Sequence, residues 1–202
     1  MCLRCFRCDR HHAFDSSKSH SYKSAPNGEK LAIEYLSGKI EGQLGQDTVR
    51  LGELAVKDQF FGAAEQIDVP LLDIVEWDGI VGLAYPNKDL ERKGIIPIFD
   101  QIMKENLVPN DKHFFAYHLG KDGGSLSFGH VDHTKLAPTS DGRKHCESNP
   151  IECFEFIPVT NPGFWGIEIV DLFVAYDKGV ATPTGICKGK ANDRYVLNIS
   201  CA

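Results

Sequence analysis

Short runs of hydrophobic residues separated by glycines dominate the first half of the chain. Between Leu31 and Phe61 these runs contain β-branched or aromatic members and end at glycines. Runs of this kind are typical of antiparallel strands joined by tight turns. The pattern therefore predicts a β meander over residues 31–61. The more polar first 30 residues, which close with the turn signal Pro26-Asn27-Gly28, predict loops and short strands.

One segment has the apolar spacing of a helix instead. A proline at position 97 is followed by apolar residues at helical intervals: Ile98, Phe99, Ile102, Met103 and Leu107. Apolar residues at this spacing, with a proline at the start, indicate an amphipathic helix. We therefore predict a helix over residues 97–107.

Several further stretches predict strands. Residues 114–119 and 125–129 alternate around a glycine-containing tip, which indicates a hairpin. The apolar stretch 74–86 predicts a buried strand that enters a glycine-rich turn. Residues 154–176 and the final run 195–199 return to strand-like composition. The fold class expected from these patterns is mostly β.

Composition narrows the classes of protein that this chain represents. The 202 residues are 42% hydrophobic and 25% charged, which is close to globular averages and unlike disordered, collagen-like or coiled-coil chains. The formal charge of -6 argues against a nucleic-acid partner. No apolar run approaches the roughly 18 residues that a membrane span needs, and residues 1–8 lack the apolar stretch of a signal peptide.

Five segments, taken in order, resemble a known family: residues 14–22, 33–49, 77–86, 125–129 and 164–167. Together they resemble the pepsin-like aspartic proteases (peptidase family A1). The resemblance implies a pepsin-like acid protease fold with few short helices, comprising an incomplete N-terminal lobe and the start of a C-terminal lobe. Its expected domains are residues 1–120, the N-terminal lobe without its first strands, and 121–202, the sheet between the lobes with part of the second lobe.

The resemblance also suggests residues that contact substrate. Segment 33–49 is similar to the flap hairpin of the family, in which a tyrosine beside a glycine-containing tip closes over bound peptide. This similarity makes Tyr35, Ser37 and Gly38 candidate substrate-binding residues. Trp77 and Ile80 are candidate walls of an apolar pocket, for which plain core packing is the alternative. The glycines of segment 77–86, Gly79 and Gly82, are expected to serve a tight backbone crossing.

The chemistry of the family needs two aspartates that share a proton around a water molecule, each in an Asp-Thr-Gly or Asp-Ser-Gly loop. Neither tripeptide occurs in this sequence, because Asp15-Ser16 is followed by serine and Asp47-Thr48 by valine. We therefore assign no catalytic residue. We expect a partial, inactive chain of an aspartic endopeptidase, monomeric, with a polypeptide substrate and neither metal nor cofactor. The alternative is a non-catalytic pepsin-like module that binds peptides or proteins.

Seven cysteines leave at least one thiol without a partner in the chain. Near the N-terminus, the cysteines and histidines at Cys2, Cys5, Cys8, His11 and His12 have the residue types of a zinc site. Because these residues lie so close in sequence, we favour a small disulfide that joins Cys8 to Cys2 or Cys5. Cys146 and Cys153 are candidates for a second one. Cys187 and Cys201 lie beyond the segments that carry the resemblance, and the pairing of the odd cysteine stays open.

One tripeptide fits the acceptor pattern for N-glycosylation, Asn198-Ile199-Ser200. Together with two candidate disulfides it points to an oxidising compartment. We expect the secretory pathway, with a lysosome- or vacuole-like compartment or the extracellular space as destination.

Overall fold

The structure is a computed structural model that describes residues 11–35, 38–136, 151, 154–169, 173–174, 182–183 and 195–199. Strands predominate in these ranges, which confirms the mostly β prediction. The described residues form two compact units, one within Met1–Leu107 and the other within Val108–Cys201. The domain boundary expected between residues 120 and 121 stays a prediction.

The first unit is built on a four-stranded antiparallel sheet. Its strands are β1 (Lys23–Ser24), β2 (Lys30–Tyr35), β3 (Gly38–Leu51) and β4 (Leu54–Asp68). Strand β3 pairs with β4 along one edge and with β2 and then β1 along the other. The predicted meander is confirmed, and β4 continues to Asp68, beyond the predicted end at residue 61.

A two-residue turn at Gly52 and Glu53 joins the long strands β3 and β4. Gly52 has a φ of 59°, and glycine at the first position of such a turn is favoured because it adopts positive φ without steric cost. The register between the strands shifts at Glu41/Gly42 and again between Asp47 and Val49. Such shifts bend the strands and strengthen their twist.

The described helices of the first unit are short. They are α1 (Lys88–Arg92), α2 (Ile98–Lys104) and the 3₁₀ helices Ser16–Lys18, Pro26–Gly28 and Pro70–Asp73. The predicted helix at 97–107 is confirmed but ends earlier, because Asn106 adopts a φ of 53°, a conformation that terminates helices. None of the helices in the described ranges is long and apolar enough to cross a membrane.

Helix α2 packs on strand β4. Backbone groups of Lys57 bond to the side chains of Gln101 and Glu105, at 3.4 and 3.3 Å. The buried Gln59 side chain donates to the carbonyl of Ile96, just before the helix, at 3.0 Å. The buried apolar residues of the unit come from the sheet, the helix and one loop: Ala25, Leu44, Val56, Leu83, Ile98, Phe99 and Ile102.

The prediction of a buried strand over residues 74–86 is wrong. These residues lie outside helices and strands, and Ile74 is 78% exposed. A strand requires a hydrogen-bonding partner along at least one edge, and no strand in the described part of the chain pairs with this segment. Leu83 is the one residue of 74–86 whose side chain is buried.

The described part of the second unit contains three pairs of antiparallel strands. Strand β5 (Phe115–Gly120) pairs with β6 (Gly123–Phe128), β7 (Trp165–Ile169) with β10 (Tyr195–Ile199), and β8 (Phe173–Val174) with β9 (Thr182–Pro183). The unit also contains the 3₁₀ helix His133–Lys135. The hairpin predicted at 114–129 is confirmed. In the predicted strand region 154–176, the described strands occupy 165–169 and 173–174, whereas residues 154–159 lie outside strands.

Aromatic rings pack together in the second unit. The ring of Phe115 makes edge-to-face contacts with Tyr117 and Trp165, at centroid distances of 5.9 and 5.4 Å. Offset and edge-to-face arrangements are the favourable ones for aromatic pairs. The contact with Trp165 therefore joins the β5–β6 hairpin to strand β7.

Candidate functional site

The hairpin formed by β2 and β3 holds two of the candidate substrate-binding residues. Tyr35 and Gly38 are cross-strand partners at its end. Gly38 has a φ of 150°, and a Cβ atom there would lie 1.8 Å from the carbonyl oxygen of Asp68. Glycine therefore lets the start of β3 approach the end of β4 closely. Ser37 lies outside the described residues.

The other two candidates lie on the loop between the 3₁₀ helix Pro70–Asp73 and α1. Trp77 is 40% exposed and Ile80 is 43% exposed, so both present apolar surface to solvent. The tight crossing expected at Gly79 and Gly82 is not observed, because no described atom comes within 4 Å of a Cβ placed at either position. The β ladder thus brings Tyr35 and Gly38 together, whereas Trp77 and Ile80 belong to a separate loop.

Two histidines converge on a carboxylate in that loop. The backbone N–H of His12 donates to Asp78 Oδ1 at 2.8 Å, and His12 Nδ1 lies 3.1 Å from Asp78 Oδ2. His11 Nδ1 lies 3.4 Å from Asp78 Oδ1. The sequence marked both histidines as candidate zinc ligands but held no sign of Asp78 as their partner, because 66 residues separate His12 from Asp78.

The pKa of Asp78 lies below its usual range. The backbone N–H of His12 is the main cause, and the rings of His12 and His11 add to it. Hydrogen bonds and positive charge that stabilise the ionised form lower the pKa of a carboxyl group. Asp78 is therefore held as a carboxylate.

A buried carboxylate, that of Asp47, ties the N-terminal segment to strand β3. Asp47 Oδ1 accepts hydrogen bonds from the Ser21 hydroxyl at 2.5 Å and from the backbone N–H of Thr48 at 2.7 Å. The hydroxyl of Ser19, followed by that of Ser21, holds the pKa of Asp47 below its usual range. These contacts explain the Asp47-Thr48 dipeptide as a structural feature of the sheet.

Replacing Ser21 by alanine is expected to destabilise the protein at neutral pH and to raise the pKa of Asp47. A carboxyl group with a lowered folded-state pKa contributes stability above its unfolded value of 3.8, and this contribution disappears as pH falls through the folded value. The difference between Ser21→Ala and the parent should therefore vanish in acid. Urea unfolding across pH and carbon NMR of the carboxyl group measure both effects. Ser24→Ala, at an exposed position in β1, is the control; an equal loss in both variants would contradict the assignment.

Hydrogen bonding rather than burial governs most of the shifted carboxyl groups. Hydroxyl, backbone or imidazole donors lower the pKa of Asp15, Asp47, Asp78 and Asp132. Burial raises the pKa of Asp100, in the first turn of α2. Because the partners of the first four aspartates are donors and not second carboxylates, none of them has the shared-proton arrangement of an aspartate pair.

A cavity of about 600 Å³ lies beside Asp47. Polar and charged side chains form much of its lining: Asp15, Lys18, Ser19, His20, Ser21 and Arg50. Among the described residues, Gly38, Trp77 and Ile80 do not line this cavity.

Comparison with known proteins decides the family. The model of the family described as eukaryotic aspartyl protease matches residues 2–178. The chain belongs to the eukaryotic aspartyl proteases. The resemblance found in the sequence is therefore confirmed, and the sheet and hairpins described above are part of a pepsin-like fold.

Relatives of this aspartyl protease chain come from diverse organisms. It is 33% identical to plasmepsin VII of Plasmodium berghei over 168 residues, which cover 80% of this chain and 33% of the relative. It is 31% identical to cathepsin D of Gallus gallus, with coverages of 90% and 40%, and 31% identical to embryonic pepsinogen of the same species, with coverages of 92% and 46%. The chain thus spans between a third and a half of the length of these relatives.

Several predicted features of this aspartyl protease chain lie outside the described residues. They include all seven cysteines: Cys2, Cys5, Cys8, Cys146, Cys153, Cys187 and Cys201. Asn198 lies in strand β10, where its backbone pairs with Gly166 of β7. The disulfides, the zinc alternative and the glycosylation of Asn198 stay predictions.

Proposed function

We propose that residues 1–202 belong to an aspartic endopeptidase whose two catalytic aspartates lie outside these residues, and that the β2–β3 hairpin covers its polypeptide substrate. The family match over residues 2–178 carries this proposal. The hairpin adds support, since Tyr35 and Gly38 are partners at its end, which agrees with the flap resemblance of a tyrosine beside a glycine-containing tip.

The proposed reaction needs an aspartate to deprotonate the attacking water while its partner protonates the leaving group. No Asp-Thr-Gly or Asp-Ser-Gly tripeptide occurs in the sequence. The shifted aspartates with lowered pKa values are engaged by hydroxyl, backbone and imidazole donors. The 202 residues therefore contribute to substrate binding and have no hydrolytic activity by themselves.

Several finer features belong to the same proposal. The protein follows the secretory pathway, forms small disulfides at Cys2–Cys8 and Cys146–Cys153, carries a glycan at Asn198 and acts as a monomer. The Asn198-Ile199-Ser200 tripeptide and the cysteine spacing support this proposal. Mass spectrometry of the protein secreted by a eukaryotic host, with and without reduction and deglycosylation, tests these features together.

The purified 202-residue chain should fail to cleave a denatured protein at acidic pH. The physical reason is the lack of a carboxylate pair to activate water. Product formation is followed by mass spectrometry with and without pepstatin, an inhibitor of this family. Cleavage that pepstatin stops would show that a working aspartate pair exists within the 202 residues and would overturn this part of the proposal.

The second candidate function is a non-catalytic module that binds peptides. The missing tripeptides favour it as much as they favour a catalytic pair elsewhere in the protein. Transcript sequence on both sides of the reading frame separates the two. Codons for Asp-Thr-Gly or Asp-Ser-Gly in frame on both sides support the endopeptidase, and hydrolysis by the longer chain, abolished by Asp→Asn in those tripeptides, completes the test. Their absence, combined with peptide binding by the 202-residue chain, supports the binding module.

A further inference from the structure

The cavity beside Asp47 contains two carboxylates that already accept hydrogen bonds from the protein. Asp15 Oδ1 accepts the hydroxyl of Ser17 at 2.7 Å and the backbone N–H of the same residue at 3.1 Å. Asp47 Oδ1 accepts the Ser21 hydroxyl and the Thr48 N–H. Two bonds fill both lone pairs of an oxygen atom. Since Asp47 is also only 6% exposed, neither carboxylate is well placed to bind donors of a ligand.

The donors that line the same cavity are available instead. The exposed side chains of His20 and Arg50 form no ion pair or hydrogen bond with any described residue, and the same holds for the Thr48 hydroxyl. The Lys18 ammonium is 82% exposed and lies 3.5 Å from Asp15 Oδ2, which is beyond hydrogen-bonding distance. The guanidinium alone offers five N–H groups. The cavity therefore complements a ligand that accepts hydrogen bonds.

An irregularity in strand β3 brings these groups to one place. Neighbouring residues of a regular strand point to opposite faces. The register with β4 shifts between Asp47 and Val49, and such a bulge re-aims side chains. Asp47 and Thr48 consequently line the cavity together, along with Arg50. The bulge thus sets a guanidinium and a hydroxyl beside a carboxylate whose Oδ1 lone pairs are already filled.

Phe14 gives the cavity an apolar wall. Its ring packs edge-to-face on Phe61 at a centroid distance of 4.9 Å and lies 5.5 Å from the ring of Tyr22. The residue is still 38% exposed and lines the cavity. A wall that is held in position before binding loses little conformational freedom when a ligand packs against it. The volume of about 600 Å³ falls within the range of small-molecule sites.

The charges of the lining distinguish between classes of anion. Lys18 and Arg50 balance Asp15 and Asp47, with the imidazole of His20 counted as neutral. A phosphate monoester carries a charge of about −1.5 to −2 at neutral pH and would be repelled by the two aspartates. A carboxylate adds a single charge, and its two oxygens match the two parallel N–H groups of a guanidinium. A carboxylate therefore suits the cavity better than a phosphate group.

We propose that the cavity beside Asp47 binds a small carboxylate-bearing ligand, with the carboxylate on the Arg50 guanidinium and the apolar part of the ligand against Phe14. The Lys18 ammonium and the Thr48 hydroxyl supply further donors. This site goes beyond the proposed endopeptidase function, since it needs neither a catalytic aspartate nor the β2–β3 hairpin.

Benzoate and benzamide are matched probes, because both contain a phenyl ring and only benzoate has a carboxylate. Each is titrated into the 202-residue chain at neutral pH and constant ionic strength, since salt screens exposed charges. Amide signals of residues 13–21 and 47–50 in nitrogen–proton NMR spectra report binding. We expect saturable shifts with benzoate and binding about tenfold or more weaker with benzamide, which lacks the charge-assisted bonds. Equal binding of the two probes, or shifts that do not saturate, would overturn the proposal.

Variants of Arg50 assign the binding to its guanidinium. Arg50 is exposed, so Arg50→Gln should fold, and we expect it to weaken benzoate binding about tenfold or more. Arg50→Lys should recover only part of the loss, because lysine keeps the charge but not the paired donors. Arg92→Gln, on α1 and outside the cavity lining, is the control and should bind as the parent does. Unchanged benzoate binding in Arg50→Gln would contradict the assignment.

Competition between anions tests the preference for a carboxylate. Acetate and inorganic phosphate are each added to the benzoate complex of the parent chain at the same ionic strength. We expect acetate to displace benzoate at lower concentration than phosphate does. Stronger displacement by phosphate would overturn the assignment to a carboxylate. None of these measurements involves peptide cleavage, so the proposed endopeptidase function stands or falls separately.

Discussion

Replacing Gly38 by alanine is expected to destabilise the first unit by about 3 kcal/mol or more. Alanine in a sparsely populated positive-φ conformation costs about 1–3 kcal/mol, and forcing extra atoms into a packed site typically costs about 1–3 kcal/mol. Both apply here, because the φ of Gly38 is 150° and a Cβ would lie 1.8 Å from the Asp68 carbonyl oxygen. Backbone atoms of β4 cannot move aside without loss of the ladder between β3 and β4.

Gly52→Ala is the matched control for Gly38→Ala. Gly52 also has a positive φ, 59°, but no described atom lies within 4 Å of a Cβ placed at that position. It should therefore show the conformational cost alone, about 1–2 kcal/mol. Urea unfolding followed by circular dichroism measures both variants. Equal losses would show that the close approach at Asp68 contributes nothing. If the hairpin covers substrate as proposed, Gly38→Ala should also weaken peptide binding more than Gly52→Ala.

Replacing Ile102 by alanine is expected to destabilise the same unit by about 2–5 kcal/mol, the usual range for truncating a fully buried isoleucine. The Ile102 side chain has 0% exposure and lies on α2, the helix that packs against β4. Truncation removes apolar contacts and leaves a cavity. The Gln101 side chain donates to the Lys57 carbonyl and the Glu105 carboxylate accepts from the Lys57 N–H, and these bonds prevent the cavity from closing fully.

Lys104→Ala in the same helix provides the control for Ile102→Ala. Lys104 is exposed, and alanine is at least as good a helix former as lysine. Its effect should stay within about 0.5 kcal/mol. Thermal or urea unfolding of the two variants separates the loss of core packing from any change in helix propensity. A loss at Ile102 no larger than at Lys104 would mean that α2 does not contribute to the core.

Local sequence signals correctly predicted a helix and a hairpin whose hydrogen-bonding partners lie close together in the sequence. The hairpin of β5 and β6 and the helix α2 were both found, because a glycine-containing tip and a helical spacing of apolar residues act over a few residues. The stretch 74–86 was predicted wrongly as a strand. Its apolar composition was visible in the sequence, but strand formation depends on a pairing partner, and periodicity carries no information about whether one is present.

The candidate site shows the same division. Gly38 was singled out because the flap motif is local, and the structure supplies a reason for the glycine, the Asp68 carbonyl; its role in substrate binding stays a prediction. The contacts of Asp78 with His11 and His12 could not be predicted, since they join residues more than 60 positions apart. The sequence showed adjacent histidines and a lone aspartate, and only the folded chain pairs them.

The two-residue turn between β3 and β4 bears on how the chain folds. Closing a short loop costs little conformational entropy, so contacts between strands joined in this way form early and quickly. Much of the pairing in the first unit belongs to this one hairpin, which spans Gly38–Leu51 and Leu54–Asp68. The hairpin can therefore act as the nucleus on which β2 and α2 assemble, and the slow step is left to the contacts that join distant segments.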